Sequence, residues 1–138
     1  MKKQFAAFLL LFFCAGIIQA SEQDLVKIVE NSARSWLELV DQERYSESWS
    51  SASSQLKQNK SESDWRQSVK TIRAPLGAMG NRYIATAAQA KSLPKLPDGE
   101  YVVLQFYTTF SVRGLAMETI ALVKQSDGNW FVADYSIK

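Results

Sequence analysis

The sequence predicts an α+β domain in which helices come first and an antiparallel sheet follows. Three observations carry that prediction. From Tyr101 to Lys138, the segments YVVLQFYTTF, LAMETIALVKQ and WFVADYSIK are dense in β-branched and aromatic residues, and the VRG and SDGN breaks between them carry turn chemistry. From Leu25 to Ile72, apolar residues recur at three- and four-residue spacing, the period of an amphipathic helix. Pro75 closes the helical half, because the residue before a proline is pushed out of the helical region.

The sheet can be put in register from its turns. Asp127-Gly128 suits a two-residue type I′ loop, which sets Lys124 opposite Phe131, Leu122 opposite Ala133, Ile120 opposite Tyr135 and Glu118 opposite Ile137. Val112-Arg113-Gly114 fits a three-residue connection with Gly114 left-handed, which sets Phe106 opposite Ile120 and Leu104 opposite Leu122. A two-residue loop after Val112 would bury Gln105 with Lys124 and is rejected. One face then carries Val102, Leu104, Phe106, Ile120, Leu122, Phe131, Ala133, Tyr135 and Ile137, with Glu118 and Thr108 as polar exceptions at one end. The other face carries Tyr101, Val103, Tyr107, Trp130 and Val132 and is too apolar to meet only water, so these five are the interface candidates and a homodimer is the expected use. Asp134 on that face is read as a hydrogen-bonded rim residue rather than a catalytic one. Arg82 to Ser92 is the first strand. Its alanines favour helix, but Tyr83, Ile84, Thr86 and the glycines ahead favour extension. The LPKLPDG stretch that follows must sit at the sheet margin, since two prolines cannot serve a central ladder.

Three helices are expected before the sheet. Leu25, Ile28, Val29, Ala33, Trp36, Leu37 and Val40 form the stripe of the first, with Ser21 and Asp24 as its capping box. Its solvated side carries Lys27, Glu30, Arg34, Glu38 and Asp41, with Glu30 and Arg34 paired. Tyr45, Trp49, Ala52, Ser53 and Leu56 form a shorter second helix that ends at Asn59-Lys60. Ser61 with Asp64 caps a third, with Trp65, Val69 and Ile72 inside. Arg66, Lys70 and Arg73 line its other side, either as an anion-binding stripe or as an ordinary solvated face, which is preferred. The tryptophans are read as core rather than as a stacking platform.

At the N-terminus, Lys2 and Lys3 precede the apolar run FAAFLLLFFCAGII, and Ala20 stands just before Ser21, the pattern of a secretory signal peptide. The expected division is a signal peptide over 1–20 and one domain over 21–138, with an exported, periplasmic product. A lipoprotein anchored through Cys14 is disfavoured because Phe13 stands where the processing enzyme needs a small residue. Removing Lys2 and Lys3 from the 16 basic side chains leaves 14 against 14 acidic ones, so the mature chain has no basic footprint for nucleic acid. It would also lose Cys14, the only cysteine, and the sequence has no histidine. Serine-histidine and cysteine-histidine nucleophile pairs and zinc sites built from His or Cys are thereby excluded, and no metal or cofactor is expected.

Several short stretches carry a family resemblance. They are Trp36-Leu37-Glu38-Leu39-Val40-Asp41, Tyr45 with Ser48-Trp49, Trp65, Arg73-Ala74-Pro75-Leu76-Gly77, Arg82, Leu96-Pro97-Asp98-Gly99, Glu118-Thr119, and Asp127-Gly128 with Trp130 and Tyr135. In that order they resemble the bacterial family named domain of unknown function 4019, and the helix-then-sheet order resembles the α+β cone of cystatin-like and nuclear-transport-factor-like folds. The resemblance implies three N-terminal helices packed on a curved four-stranded antiparallel sheet in small exported proteins or lipoproteins of unknown role, and the poor lipobox around Cys14 departs from the lipidated members. It supplies no catalytic residues.

A cone of this kind leaves room for a pocket at its open end. Glu118, Arg82, Arg73 and Thr108 are the ligand-binding candidates there. The preferred function is a non-enzymatic module that binds a small apolar ligand or a protein partner, with Glu118 held by an arginine. The alternative is a carboxylate-based lyase or isomerase, with Glu118 as base and Tyr135 or Tyr45 as hydrogen-bond donor. An open pocket at Glu118 would favour the enzyme, and a closed Arg–Glu pair the module.

Overall fold

The structure, a computed structural model, describes residues 15–138. The apolar run up to Cys14, which holds most of the expected signal peptide, lies outside the described residues. Helix α1 (Ala15–Asp41) is followed by α2 (Tyr45–Ser50), α3 (Ser54–Asn59), α4 (Glu62–Arg73) and a 3₁₀ turn over Ala74–Leu76. Strands β1 (Met79–Ala90), β2 (Tyr101–Phe110), β3 (Gly114–Lys124) and β4 (Trp130–Ile137) then form one antiparallel sheet in sequence order. The architecture is α+β, with the helices packed on one face of a four-stranded sheet.

Val29, Ala33, Trp36, Leu37 and Val40 of α1 are buried, as the stripe predicts, while Ile28 is exposed. The helix continues upstream through Ser21, so Ser21 and Asp24 do not cap its start, because the preceding AGIIQA offers no proline or polar cap to stop it. The expected second helix is two. Serine-rich sequence gives the backbone competing partners, and the chain breaks at Ser51–Ser53. The Ser53 side chain accepts from the Leu56 N–H to start α3, while its own N–H donates to the Val132 carbonyl of β4. In α4, Ser61 caps by accepting from the Asp64 N–H, as expected. The helix is rotated from the expected face. Arg73 points inward with Trp65 and Val69, at a strict four-residue spacing, and Ile72 is exposed. Residue type misled here, because a paired arginine can be buried where an unpaired one cannot.

The two hairpins explain the register. Between β2 and β3 the connection is Ser111-Val112-Arg113, and Gly114, left-handed at φ 80°, pairs with Phe110. Phe106 therefore faces Glu118 and Leu104 faces Ile120, two residues from the expected partners, and a shift of two keeps every side chain on its face. Between β3 and β4 the loop holds three residues, Ser126-Asp127-Gly128, closed by a Gly128 N–H to Gln125 carbonyl bond. Only Gly128 is left-handed, so the turn is not type I′. A bulge between Ala121 and Leu122 on the β3 side, with Ala133 as the extra residue of β4, restores the expected pairs further on, and Ile120 faces Tyr135 and Glu118 faces Ile137. Between loop and bulge the faces are swapped. Val132 is buried in the helix-side core and Trp130 packs against it, while Ala133 joins Tyr101 and Val123 on the other side. Trp130 and Val132 are thus not on the outer face.

Two tryptophans tie helices to sheet. The Trp36 ring lies 5.6 Å from both Trp65 and Tyr135. The Trp36 indole N–H donates to the Ser48 carbonyl and the Trp65 N–H to the Ser48 hydroxyl, so neither buried donor lacks a partner. On the far side of the sheet, the loop after β1 folds back at the margin. Leu93 and Leu96 cover Tyr101, Val123 and Ala133, and the Tyr101 hydroxyl donates to the Pro97 carbonyl at 2.5 Å. Tyr101 is therefore under the loop, not part of a free face.

Candidate functional site

All four strands and two helix ends send one polar side chain each to a single point under the helices. Glu118 comes from β3, Thr108 from β2, Tyr135 from β4 and Arg82 from β1; Asp41 ends α1 and Arg73 ends α4. The alternation that puts Phe106 and Ile120 in the core puts Thr108 and Glu118 there too, and both are fully buried.

The cluster is closed by its own bonds. Glu118 Oε1 accepts from Arg82 Nε at 2.6 Å and from the Thr108 hydroxyl at 2.5 Å. Its Oε2 accepts from the Tyr135 hydroxyl at 2.5 Å and lies 3.9 Å from Arg73 Nη1. Arg82 spends its two remaining nitrogens on Asp41, at 2.8 and 3.0 Å, and Arg73 Nη2 donates to Asp41 Oδ1 at 2.7 Å. Arg73 Nη1 donates to the Tyr135 oxygen at 3.3 Å, and its guanidinium lies over the Phe110 ring. Two cations meet two carboxylates, and among the described residues no buried side-chain polar atom lacks a hydrogen bond. That satisfaction is the condition under which a buried ion cluster is tolerated.

The electrostatics follow from the geometry. Burial alone would raise the Asp41 carboxyl, but bonds and charge from Arg82 and Arg73 outweigh it and hold it below the ordinary carboxylate value. Burial and the neighbouring Glu118 charge push the Tyr135 phenol far above its ordinary range, so it is a fixed proton donor. Burial opposes the charge on both arginines, but it is outweighed by Tyr135, Asp41 and Glu118 around Arg73 and by Asp41 and Glu118 around Arg82, so both stay charged.

Glu118, Arg82, Arg73, Thr108 and Tyr135 thus meet as one group. Tyr45 does not join them. It lines a separate groove of about 490 Å³ with Glu43, Ser63, Arg66, Gln67 and Lys70. Arg66 and Lys70 are exposed there, as a solvated face predicts, and Arg73 is parted from them. Asp41 was the cluster member that sequence reasoning placed on the solvated side. Charge balance held the signal: two candidate arginines beside one candidate carboxylate leave a buried cation over, and a second acid at a helix end was needed. Among the interface candidates, only Val103 and Tyr107 lie on the open part of the outer face, where Tyr107 is 46% exposed and its cross-strand neighbour Tyr83 is 63% exposed.

A helical layer on an antiparallel sheet, locked by a buried and charge-balanced cluster, defines a small α+β domain whose polar centre is structural in geometry. The chain belongs to the family described as Protein of unknown function (DUF4019), which it matches over residues 32–135, a span that includes all six cluster residues. No curated protein matches the chain.

Proposed function

We propose that the protein is an exported, non-enzymatic binding module, and that its partner is a protein received on the outer face of the sheet, a second copy of the chain before any other. The observation that carries this reading is the closed state of Glu118. It is fully buried and both of its oxygens are taken, whereas a lyase or isomerase base needs an oxygen open to substrate. What remains to act is surface. Tyr83, Tyr107 and Leu115 stand exposed on the outer face, with Met117 beside Tyr107 and uncharged Thr86, Gln105 and Thr119 around them. A face with aromatic anchors and no formal charge at its centre is compatible with a copy of itself, as a two-fold interface requires. Export rests on Lys2, Lys3, the apolar run and Ala20. Among the described residues, no helix is long and apolar enough to cross a membrane.

Sedimentation equilibrium tests the partner. Wild type is expected to dimerise, and the Tyr83→Lys, Tyr107→Lys double variant to sediment as a folded monomer. A monomeric wild type at high concentration removes the second copy as partner. Intact mass of periplasmic material is expected to correspond to a chain starting at Ser21, and a lipid-modified Cys14 would refute that start.

A further inference from the structure

The loop that covers the sheet margin contains a lysine in an uneconomical position. Leu93-Pro94-Lys95-Leu96 is closed by a Leu96 N–H to Leu93 carbonyl bond, with proline second and Lys95 third at φ 63°. Those are the marks of a type II turn, whose third position favours glycine or asparagine because other side chains are strained there. The Lys95 carbonyl accepts from the Asn59 side-chain amide at the end of α3, which ties the turn to the helix but engages the backbone and not the Lys95 side chain. Strain kept where a glycine would relieve it points to a use for the side chain.

The surroundings supply that use. Lys95 lines a groove of about 460 Å³ between α3 and the loop, in the size range of small-molecule sites. Its apolar lining is Leu56, Pro94, Leu96 and Ala133, and its polar margin is Asn59, Lys60, Lys95 and Asp134. Neither lysine has an ion-pair partner among the described residues. Lys60, the C-cap residue of α3, holds its ammonium 6.0 Å from the centre of the Trp65 ring of α4. We propose that this groove binds a small amphipathic carboxylate, with an acyl chain on the apolar lining and its carboxylate at Lys95, Lys60 being the second cation. Asp134 repels the anionic end and so fixes which way the ligand lies. An acyl chain suits this lining better than a peptide backbone does, because Pro94 has no N–H to offer and Leu56, Leu96 and Ala133 present no side-chain donor or acceptor. The groove shares no residue with the exposed tyrosine face, so the two sites stand or fall separately.

Titration calorimetry of the full mature domain with sodium decanoate, with decanol as the uncharged control, tests the site. Saturable decanoate binding is expected, with decanol weaker. Lys95→Gly relieves the left-handed strain, so its denaturation midpoint is expected to be unchanged or higher while decanoate affinity falls about threefold to fivefold, the scale of one exposed ion pair. Lys95→Asn, which also tolerates the left-handed backbone, repeats the loss, and Lys95→Arg retains binding. Absence of saturable decanoate binding overturns the proposal, as does a Lys95→Gly protein that binds as tightly as wild type. Binding of acetyl-leucyl-leucine without binding of decanoate also overturns it, in favour of a peptide terminus.

Discussion

Arg82 holds the buried Glu118 through Nε at 2.6 Å while its other two nitrogens hold Asp41, so one guanidinium joins the end of α1 to the middle of the sheet. Glu118 has no exposure at all, and solvent screens the bond far less than it would a surface pair. Replacing Glu118 by Gln leaves Arg82 and Arg73, each under a tenth exposed, sharing the one carboxylate of Asp41 between them. Breaking a buried pair from one side costs about 3 to 5 kcal/mol. Urea denaturation of wild type and Glu118→Gln at neutral pH is expected to show a loss of that size with an unchanged slope. A variant equal to or more stable than wild type would mean that Glu118 is an uncompensated charge, and would revive the catalytic alternative.

Asp41 predicts the acid limb of stability. Its carboxyl is held below the ordinary value in the folded protein by the arginines that overcome its burial. A group with a depressed folded pKa contributes stability above its unfolded pKa and loses it as pH falls through the folded value. Stability should thus decline below about pH 4, where the unfolded carboxylate starts to take up protons. Asp41→Asn is expected to be less stable than wild type at neutral pH, with the difference narrowing as the pH is lowered through that window. A difference independent of pH would show that Asp41 keeps its ordinary affinity for protons.

Two left-handed glycines separate strain from collision. At Gly114 a Cβ would meet nothing within 4 Å, so Gly114→Ala carries only the left-handed penalty of about 1 to 2 kcal/mol. At Gly77, which is also left-handed, a Cβ would collide with the Ser111 hydroxyl oxygen and stand 2.9 Å from the Val112 backbone nitrogen. Gly77→Ala is therefore expected to cost clearly more than Gly114→Ala in the same denaturation assay. Equal costs would place the Ser111-Val112-Arg113 connection away from Gly77.

How much of this was legible in the sequence depends on whether a residue's type and position agreed. The α1 stripe could be read because helical spacing constrains a whole segment at once, whereas the pairing of Glu118 with Ile137, counted from a two-residue loop, came out right because two register shifts offset each other. The pairs near the last turn could not, because a three-residue loop and a bulge at Ala133 each shift the ladder by one and cancel beyond Ala121. Asp41 was hidden for a different reason, and Arg73, although a pocket candidate, also read as part of a solvated helix face. Each reads as surface by charge alone, and only their mutual neutralisation, spread across 32 positions of sequence, makes burial tolerable.

Tyr135 predicts the alkaline limb, and with it the protonation state that keeps the cluster shut. Its hydroxyl donates to Glu118 and accepts from Arg73, so losing its proton would replace a hydrogen bond to a carboxylate by repulsion between two buried anions. Burial and the Glu118 charge accordingly raise the phenol far above its ordinary value. A group whose folded pKa is raised contributes stability that is fully present below the unfolded pKa and is lost as pH rises toward the folded one. Wild-type stability should therefore fall as pH climbs above about 10, where phenols of the unfolded chain ionise. Tyr45 and Tyr101 are also raised, chiefly by burial, so part of that slope belongs to them. Tyr135→Phe leaves Glu118 Oε2 with only the 3.9 Å contact to Arg73, and is expected to lose about 1.5 to 3 kcal/mol at neutral pH, the range for a hydrogen bond to a charged group. It should also flatten the decline above pH 10 without abolishing it. Denaturation midpoints of both proteins across the alkaline range decide the matter. A variant whose stability falls as steeply as that of wild type would show that Tyr135 does not hold its proton against Glu118, and that the bond joining β3 to β4 in the core is weaker than its 2.5 Å length implies.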